Sequence, residues 1–184
     1  IGDAARRRPG DLLTGLLEAQ VALLLDRRDA FRETVRRMQA VDPDAPETLL
    51  ASGYLKLSID SDLDGAVADF ARGTAVAPGD AELWNGLGLA QGERDALREA
   101  EQAFRTAIAV DPNDPVAYTN LAILLLDQSR VAEAERLVDK ALDLDPSFSA
   151  GYVARGRVLL QKGDLPRAMD ALLAGSAANP ASAQ

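Results

Sequence analysis

The chain has 184 residues, of which 47% are hydrophobic and 27% are charged, so it holds enough apolar material for a core and is too apolar for global disorder. It contains no cysteine and no histidine, which excludes a disulfide framework, a thiolate zinc site and Ser–His–Asp or Cys–His catalysis. The net charge of −9 argues against nucleic-acid binding, and the longest apolar runs, such as Leu121–Leu126, are far shorter than the roughly 20 residues that span a bilayer.

Prolines recur at a nearly constant interval along the chain. Six of the nine are separated by 34 or 35 residues, and the interval of 35 lies between Pro43 and Pro78. Proline cannot occupy a helix interior, and it disfavours helical geometry in the residue before it. We therefore expect a helix to stop at each of these points: Pro9, Pro43, Pro78, Pro112, Pro146 and Pro180.

Each interval between these prolines contains two amphipathic helices. Residues 81–93 and 96–110 show the pattern best, with apolar side chains three and four positions apart and a polar break at Arg94-Asp95. Equivalent breaks fall at 26–28, 60–62, 129–130 and 163–164. Two such helices joined by a short turn form an antiparallel hairpin. Small residues recur where the two helices must touch: Ala19, Gly53, Gly88, Ala122 and Gly156 in first helices, and Ala66, Ala100, Ala134 and Ala168 in second helices.

The middle of the chain carries a motif of known spacing. Trp84-x2-Leu87-Gly88-x2-Gln91 is followed by Ala100-x3-Phe104 and then by Pro112. This run resembles the tetratricopeptide repeat, with Gln91 in place of the usual tyrosine. The resemblance implies an all-α fold, a right-handed α-solenoid of tandem antiparallel helix hairpins that forms a single continuous domain. The predicted segments are the tail of a preceding repeat at 1–11, a degenerate repeat at 12–45, a repeat with a one-residue insertion at 46–80, and repeats at 81–114, 115–148 and 149–182.

The first repeat departs most from the motif. Gly15 and Glu18 stand where larger apolar residues are usual, and Phe31 stands where a small residue is usual. Both ends of the sequence resemble interior parts of an array, because the polar capping helix that normally closes an array is not visible. We therefore expect a fragment of a longer array. The lack of an apolar run of bilayer length predicts a soluble protein, and the sequence leaves a cytoplasmic and a periplasmic location both open.

The resemblance also implies that the protein binds other proteins. In this family the first helices line a concave face that binds peptides or proteins. The family's groove positions correspond to Leu13, Leu16, Gln20, Leu23, Leu24, Glu47, Leu50, Tyr54, Leu57, Ser58, Glu82, Asn85, Leu89, Gly92, Glu93, Val116, Thr119, Ile123, Leu126, Asp127, Ala150, Val153, Arg157, Leu160 and Gln161. Among them, the expected partner-binding residues are Leu50, Tyr54, Leu57, Asn85, Leu89, Thr119, Ile123, Leu126, Val153, Arg157 and Leu160.

This expected groove is mostly apolar, with a few acids, and suits an amphipathic helix or an apolar extended segment of a partner. It does not fit the family's carboxylate clamp, because only Asn85 and Arg157 could serve in one and no lysine lies at the mapped positions. The sequence therefore predicts a non-catalytic scaffold or adaptor without a cofactor. Two alternatives stay open: the recruitment or regulatory region of a larger enzyme, such as a glycosyltransferase or sulfotransferase, and a structural module that self-associates through uncapped apolar ends.

One segment matches the start of a calcium-binding loop. Asp60, Asp62 and Asp64 alternate with other residues and are followed by Gly65, a pattern that could wrap a hard cation. The closing glutamate of such a loop is missing, because Ala71 takes its place. The other interpretation is an acidic turn in which Asp62 or Asp64 caps the next helix at its positive end. The extra residue of the 35-residue interval also fits best in this segment.

Overall fold

A computed structural model describes residues 9–178, and every regular element in this range is helical. It contains ten α-helices: α1 Pro9–Leu24, α2 Arg28–Val41, α3 Pro46–Leu55, α4 Leu63–Val76, α5 Ala81–Glu93, α6 Leu97–Val110, α7 Pro115–Asp127, α8 Val131–Leu144, α9 Ser149–Gln161 and α10 Leu165–Ala178. The predicted all-α class is confirmed. The predicted tail at 1–11 lies outside the described residues up to position 8, and its last three residues begin α1.

The helices form two compact units, one ending at Asp95 and the other beginning at Ala96. In the first unit α1 packs on α2, α3 on α4 and α4 on α5, and the first helices α1, α3 and α5 are neighbours in that order. In the second unit α6 packs on α7, α7 on α8, α8 on α9 and α9 on α10, and α7 also contacts α9. Each unit is thus built from helices that contact their sequence neighbours, as tandem hairpins require.

The helix turns repeat one backbone geometry. Each predicted break contains one residue with a positive φ between 50° and 79°, and these residues are Asp26, Ser61, Asp95, Ser129 and Gly163. This left-handed conformation lets the following backbone N–H groups satisfy carbonyls of the helix that has just ended. After α7, for example, the N–H of Arg130, which follows Ser129, donates to the Leu125 oxygen at 2.8 Å. Four of the five positions hold Asp or Ser, for which the left-handed conformation is higher in free energy than it is for glycine.

Aspartates before the prolines close the junctions between hairpins. The side chains of Asp42, Asp111 and Asp145 each accept a backbone N–H from two residues further along, at 2.8–3.1 Å. Asp80 and Asp114 then cap α5 and α7 by accepting N–H groups of their first turns. These bonds explain why the helices stop and restart where the prolines predict, because the orphan backbone groups at both ends have partners.

Aromatic residues in three first helices tie those helices to the preceding junction. Trp84 Nε1–H donates to the Pro78 oxygen at 2.9 Å. The hydroxyls of Tyr118 and Tyr152 donate to the oxygens of Pro112 and Pro146, both at 3.1 Å. Each donor lies six residues after its acceptor, so the same link recurs with the period of the sequence.

The extra residue of the long interval lies one turn before the predicted place. The last turn of the α3 segment, Lys56–Asp60, is a π-helix, which accommodates one additional residue within a helix. Lys56 at its start donates to Asp69 of α4 at 2.6 Å, and Asp69 also accepts the Ser52 hydroxyl at 2.6 Å. Asp69 is buried, so this pair and the hydroxyl provide the partners that a buried carboxylate needs.

The degenerate first repeat keeps a filled core by exchanging its large and small residues. A side chain at Gly15 would lie 2.8 Å from Met38 Cγ, so Met38 fills the space that a large residue occupies elsewhere. Phe31 is 1% exposed and packs in a cluster with Val35 and Ala19. The large side chains of this hairpin lie on its second helix instead of its first, and this exchange keeps the packing dense.

Charged side chains link second helices to the next hairpin in the second unit. Arg130, between α7 and α8, contacts Glu101 of α6 at 2.6 Å and Glu133 of α8 at 2.8 Å. Lys162, after α9, contacts Glu135 of α8 at 2.7 Å in the same manner. The hydrogen bond from the Arg130 guanidinium lowers the pKa of Glu101 and also that of Glu133.

Replacing Gly53 by alanine should lower the stability of the fold. A Cβ there would lie 2.7 Å from the Phe70 ring, and overpacking of this kind costs about 1–3 kcal/mol, more than the roughly 1 kcal/mol that alanine gains in helix propensity. The matched control is Gly92→Ala in α5, where a Cβ meets nothing within 4 Å and the propensity gain should raise stability. Urea unfolding followed by circular dichroism measures both, and equal shifts would contradict the packing argument.

Glu101→Gln should destabilise the protein at neutral pH and much less in acid. A carboxylate whose folded pKa is lowered stabilises the fold above its unfolded pKa, and this contribution is lost as the pH falls through the folded pKa. The difference between wild type and variant in the urea midpoint should therefore narrow between about pH 7 and about pH 3. Glu99→Gln, on the exposed side of the same helix, is the control. A difference that stays constant with pH would contradict the assigned role.

Candidate partner-binding surface

The first unit covers part of its own predicted groove. Leu50 is 2% exposed and Asn85 is 5% exposed, so neither offers much surface to a partner. The Gln20 amide of α1 reaches Glu82 of α5 at 3.5 Å, although α3 lies between these two helices in the packing order. The inner surfaces of the three first helices therefore approach closely, which accounts for the burial of Leu50 on α3.

Other predicted residues of the first unit remain accessible in part. Tyr54, Leu57 and Leu89 are partly buried, and the Tyr54 ring meets the Phe70 ring edge-on with centroids 5.2 Å apart. On α1, Leu13 is 55% exposed and Leu24 is 85% exposed. Among the predicted groove positions of this unit, these leucines and Tyr54 therefore keep some apolar surface accessible to a partner.

The second unit divides its predicted residues in the same way. Thr119 and Leu126 are buried, with 2% and 0% exposure. Val153 and Leu160 on α9 are each 50% exposed, while Ile123 on α7 is partly buried. The helices that carry these three side chains, α7 and α9, are in contact.

Charges on this surface of the second unit neutralise each other. Arg157 of α9 contacts Asp127 of α7 at 2.7 Å. The Gln161 side chain donates to the Leu126 backbone oxygen at 3.1 Å, at the end of α7. Arg157 is thus engaged in an ion pair within the protein, which weakens it as a receptor for a partner's carboxylate.

The aspartates of the calcium-like segment point to different partners. Asp60 pairs with Arg32 at 2.9 Å, and Asp64 pairs with Arg94 at 2.8 Å. Asp62 caps α4 by accepting the Gly65 N–H at 2.9 Å, as the acidic-turn interpretation predicted. Within residues 9–178 no group of three or more metal-ligating side chains converges on one point.

Sequence reasoning missed two surfaces of the second unit. On α10, Leu165, Met169 and Leu173 are 57–67% exposed, at helical spacing, although the pattern gave them no role beyond an uncapped end. A cleft of about 400 Å³ also opens between α8, α9 and α10, with Val138 and Val158 among its apolar residues and Asp139 and Arg155 paired at its edge. The exposed apolar spacing on α10 was visible in the sequence, whereas the cleft depends on how the helices pack.

None of the helices in the described part of the chain combines the length and the hydrophobicity that crossing a membrane would take.

Comparison with solved structures shows the same fold in proteins of distant sequence. The chain is similar to TTC0263, a thermophilic TPR protein in Thermus thermophilus, with a TM-score of 0.82 and 18% identity over 92% of each chain. MamA matches with a TM-score of 0.67 and 22% identity over 90% of this chain and 96% of its own. PilF of Pseudomonas aeruginosa matches with a TM-score of 0.76 and 16% identity over 90% of this chain and 77% of its own.

The family assignment comes from the sequence itself. No curated protein matches the chain. The tetratricopeptide repeat model matches residues 60–115 and 119–183, which is more than half of the chain. Together with ten helices arranged as about five sequential pairs in residues 9–178, this match shows that the chain belongs to the tetratricopeptide repeat family, whose members are generally protein–protein interaction modules.

Proposed function

We propose that the chain is a non-catalytic scaffold that binds a segment of another protein on the apolar faces of its first helices. The observation that carries the proposal is the half-exposure of Val153 and Leu160 on α9, next to Ile123 on α7. In the first unit, Leu57 and Leu89 occupy the corresponding positions of the α3 segment and α5. Single exposed apolar side chains are normal on a folded protein, whereas a group of them on adjoining helices is typical of an interaction surface.

The shape of these faces favours a helix or an extended segment as the occupant. The apolar side chains are spaced along neighbouring helices, and an amphipathic helix inserts its own apolar positions between such rows. The Arg157–Asp127 pair engages the arginine of this surface in the second unit, which argues against recognition of an acidic C-terminus there. The buried residues Leu50, Asn85, Thr119 and Leu126 would position their helices and contribute little direct contact.

A second candidate function is self-association through α10. Its residues Leu165, Met169 and Leu173 are more exposed than Val153 and Leu160 of the predicted groove.

Replacing Met169 and Leu173 by charged residues should leave the helical content unchanged. It should abolish any increase of the molecular mass with protein concentration, as measured by light scattering. A wild-type protein that stays monomeric at all concentrations would remove this candidate.

The test of the scaffold function compares captured proteins across variants. Leu57→Asp/Leu89→Asp in the first unit and Val153→Asp/Leu160→Asp in the second should each lose a protein that the wild type retains from native lysate. The matched control, Val76→Asp in α4, replaces a residue that is 57% exposed on a second helix, and should retain it.

The captured protein is then reduced to its binding segment, whose affinity for each variant is measured. Charged replacement within the contact should weaken binding by about tenfold or more, because it desolvates an unpaired carboxylate. If the first-helix variants bind the segment as tightly as the wild type while a control variant loses it, the first-helix faces are not the binding surface.

A further inference from the structure

We propose that the segment bound by the first unit is cationic, an amphipathic helix that carries lysine or arginine beside its apolar face. This inference rests on the proposed function and adds the charge of the partner to it. The observation behind it is that the first helices of this unit carry acids and no basic residue, whereas α2 carries four arginines and two acids and α4 carries one arginine and two acids.

The first helices of the unit carry only negative side chains. Helices α1, α3 and α5 together contain five carboxylates and no lysine or arginine: Asp11, Glu18, Glu47, Glu82 and Glu93. The second helix α2 shows the opposite balance, with four arginines and two acids. Because random placement of the unit's charges would mix the signs, the layer of first helices has a distinct negative character.

Two cations that follow first helices contact acids of α4. Lys56, which follows α3, contacts Asp69 of α4 at 2.6 Å. Arg94, which follows α5, contacts Asp64 of α4 at 2.8 Å. Among the five carboxylates of the first helices, Glu18 is paired with an arginine of α2, Arg37, at 2.6 Å.

The same layer offers apolar surface beside these acids. Leu13 and Leu24 of α1 are 55% and 85% exposed, and Leu57 and Leu89 are exposed in part. The last turns of α1 and α5 contain no basic residue, so the partial negative charge at these carboxyl ends is not offset from within the helix. Apolar side chains with a negative border match a helix whose apolar face is bordered by cations.

The second unit supplies an internal contrast. Its face formed by α7 and α9 carries Asp127 and Arg157, which pair with each other at 2.7 Å. Arg155 of α9 is paired with Asp139 of α8. A preference for a cationic partner is therefore assigned to the first unit alone.

The experiment uses the whole chain and three synthetic amphipathic helical peptides of equal length and identical leucine face. Their polar positions are all lysine, all glutamine or all glutamate, and binding is followed by fluorescence anisotropy at low and high salt. The groove variant is Glu47→Gln/Glu82→Gln/Glu93→Gln. The charge-matched control is Glu99→Gln/Asp143→Asn/Asp170→Asn, three exposed acids of second helices in the other unit.

The lysine peptide should bind the wild type about tenfold more tightly than the glutamine peptide, and the glutamate peptide should bind most weakly. The groove variant should lose most of that preference, and the control variant should keep it. Salt should weaken the lysine peptide on the wild type more than on the groove variant, because the Debye length falls from about 10 Å at 0.1 M to about 3 Å at 1 M.

Two results would overturn the inference. In the first, the glutamine or glutamate peptide binds as tightly as the lysine peptide. In the second, both triple variants weaken the lysine peptide equally, which would show attraction to the net charge of the chain. A further variant, Leu24→Asp/Leu57→Asp/Leu89→Asp, distinguishes failure of the charge preference from failure of the proposed function. If it weakens the glutamine peptide, the apolar surface binds and only the charge preference fails; if it alters no peptide, the first unit has no such surface.

Discussion

The close approach of two helices at a glycine or alanine is the constraint on which the hairpins depend. At Gly53 the space for a Cβ is taken by the Phe70 ring, and at Gly156 it is taken by Leu172. A single hairpin cannot bury the apolar face that remains, so it needs the next one along the chain. The junction bonds of the aspartates and of the aromatic side chains then hold each hairpin against its neighbour within a unit.

Helix boundaries could be predicted from the sequence because they depend on local chemistry. Proline and aspartate act within a few residues of themselves, and each break in the pattern became a turn with one left-handed residue. The π-helical turn at Lys56–Asp60 was not predicted from the sequence. The interval of 35 shows that this repeat has one extra residue, which either a helix or a turn could accommodate. Which of the two does so depends on tertiary contacts such as that between Lys56 and Asp69.

Burial in the groove could not be predicted from the repeat pattern. The pattern places Leu50 and Leu57 on the same face of one helix, yet Leu50 is buried and Leu57 stays partly exposed. The difference depends on how closely the first helices approach one another, and Gln20 of α1 lies within 3.5 Å of Glu82 of α5. That distance is set by side-chain volumes from several hairpins together, which a comparison of one repeat with the family motif does not include.

The bond between Trp84 and Pro78 has a practical consequence. Trp84 is the single tryptophan of the chain, and its indole N–H is held by a carbonyl at the junction between α4 and α5. Indole emission is sensitive to hydrogen bonding and to water, so the protein carries a native optical probe of one junction among several chemically similar ones. Loss of helical signal and change of indole emission can therefore be timed separately in an unlabelled molecule, and their order would reveal whether the array opens at this junction or away from it.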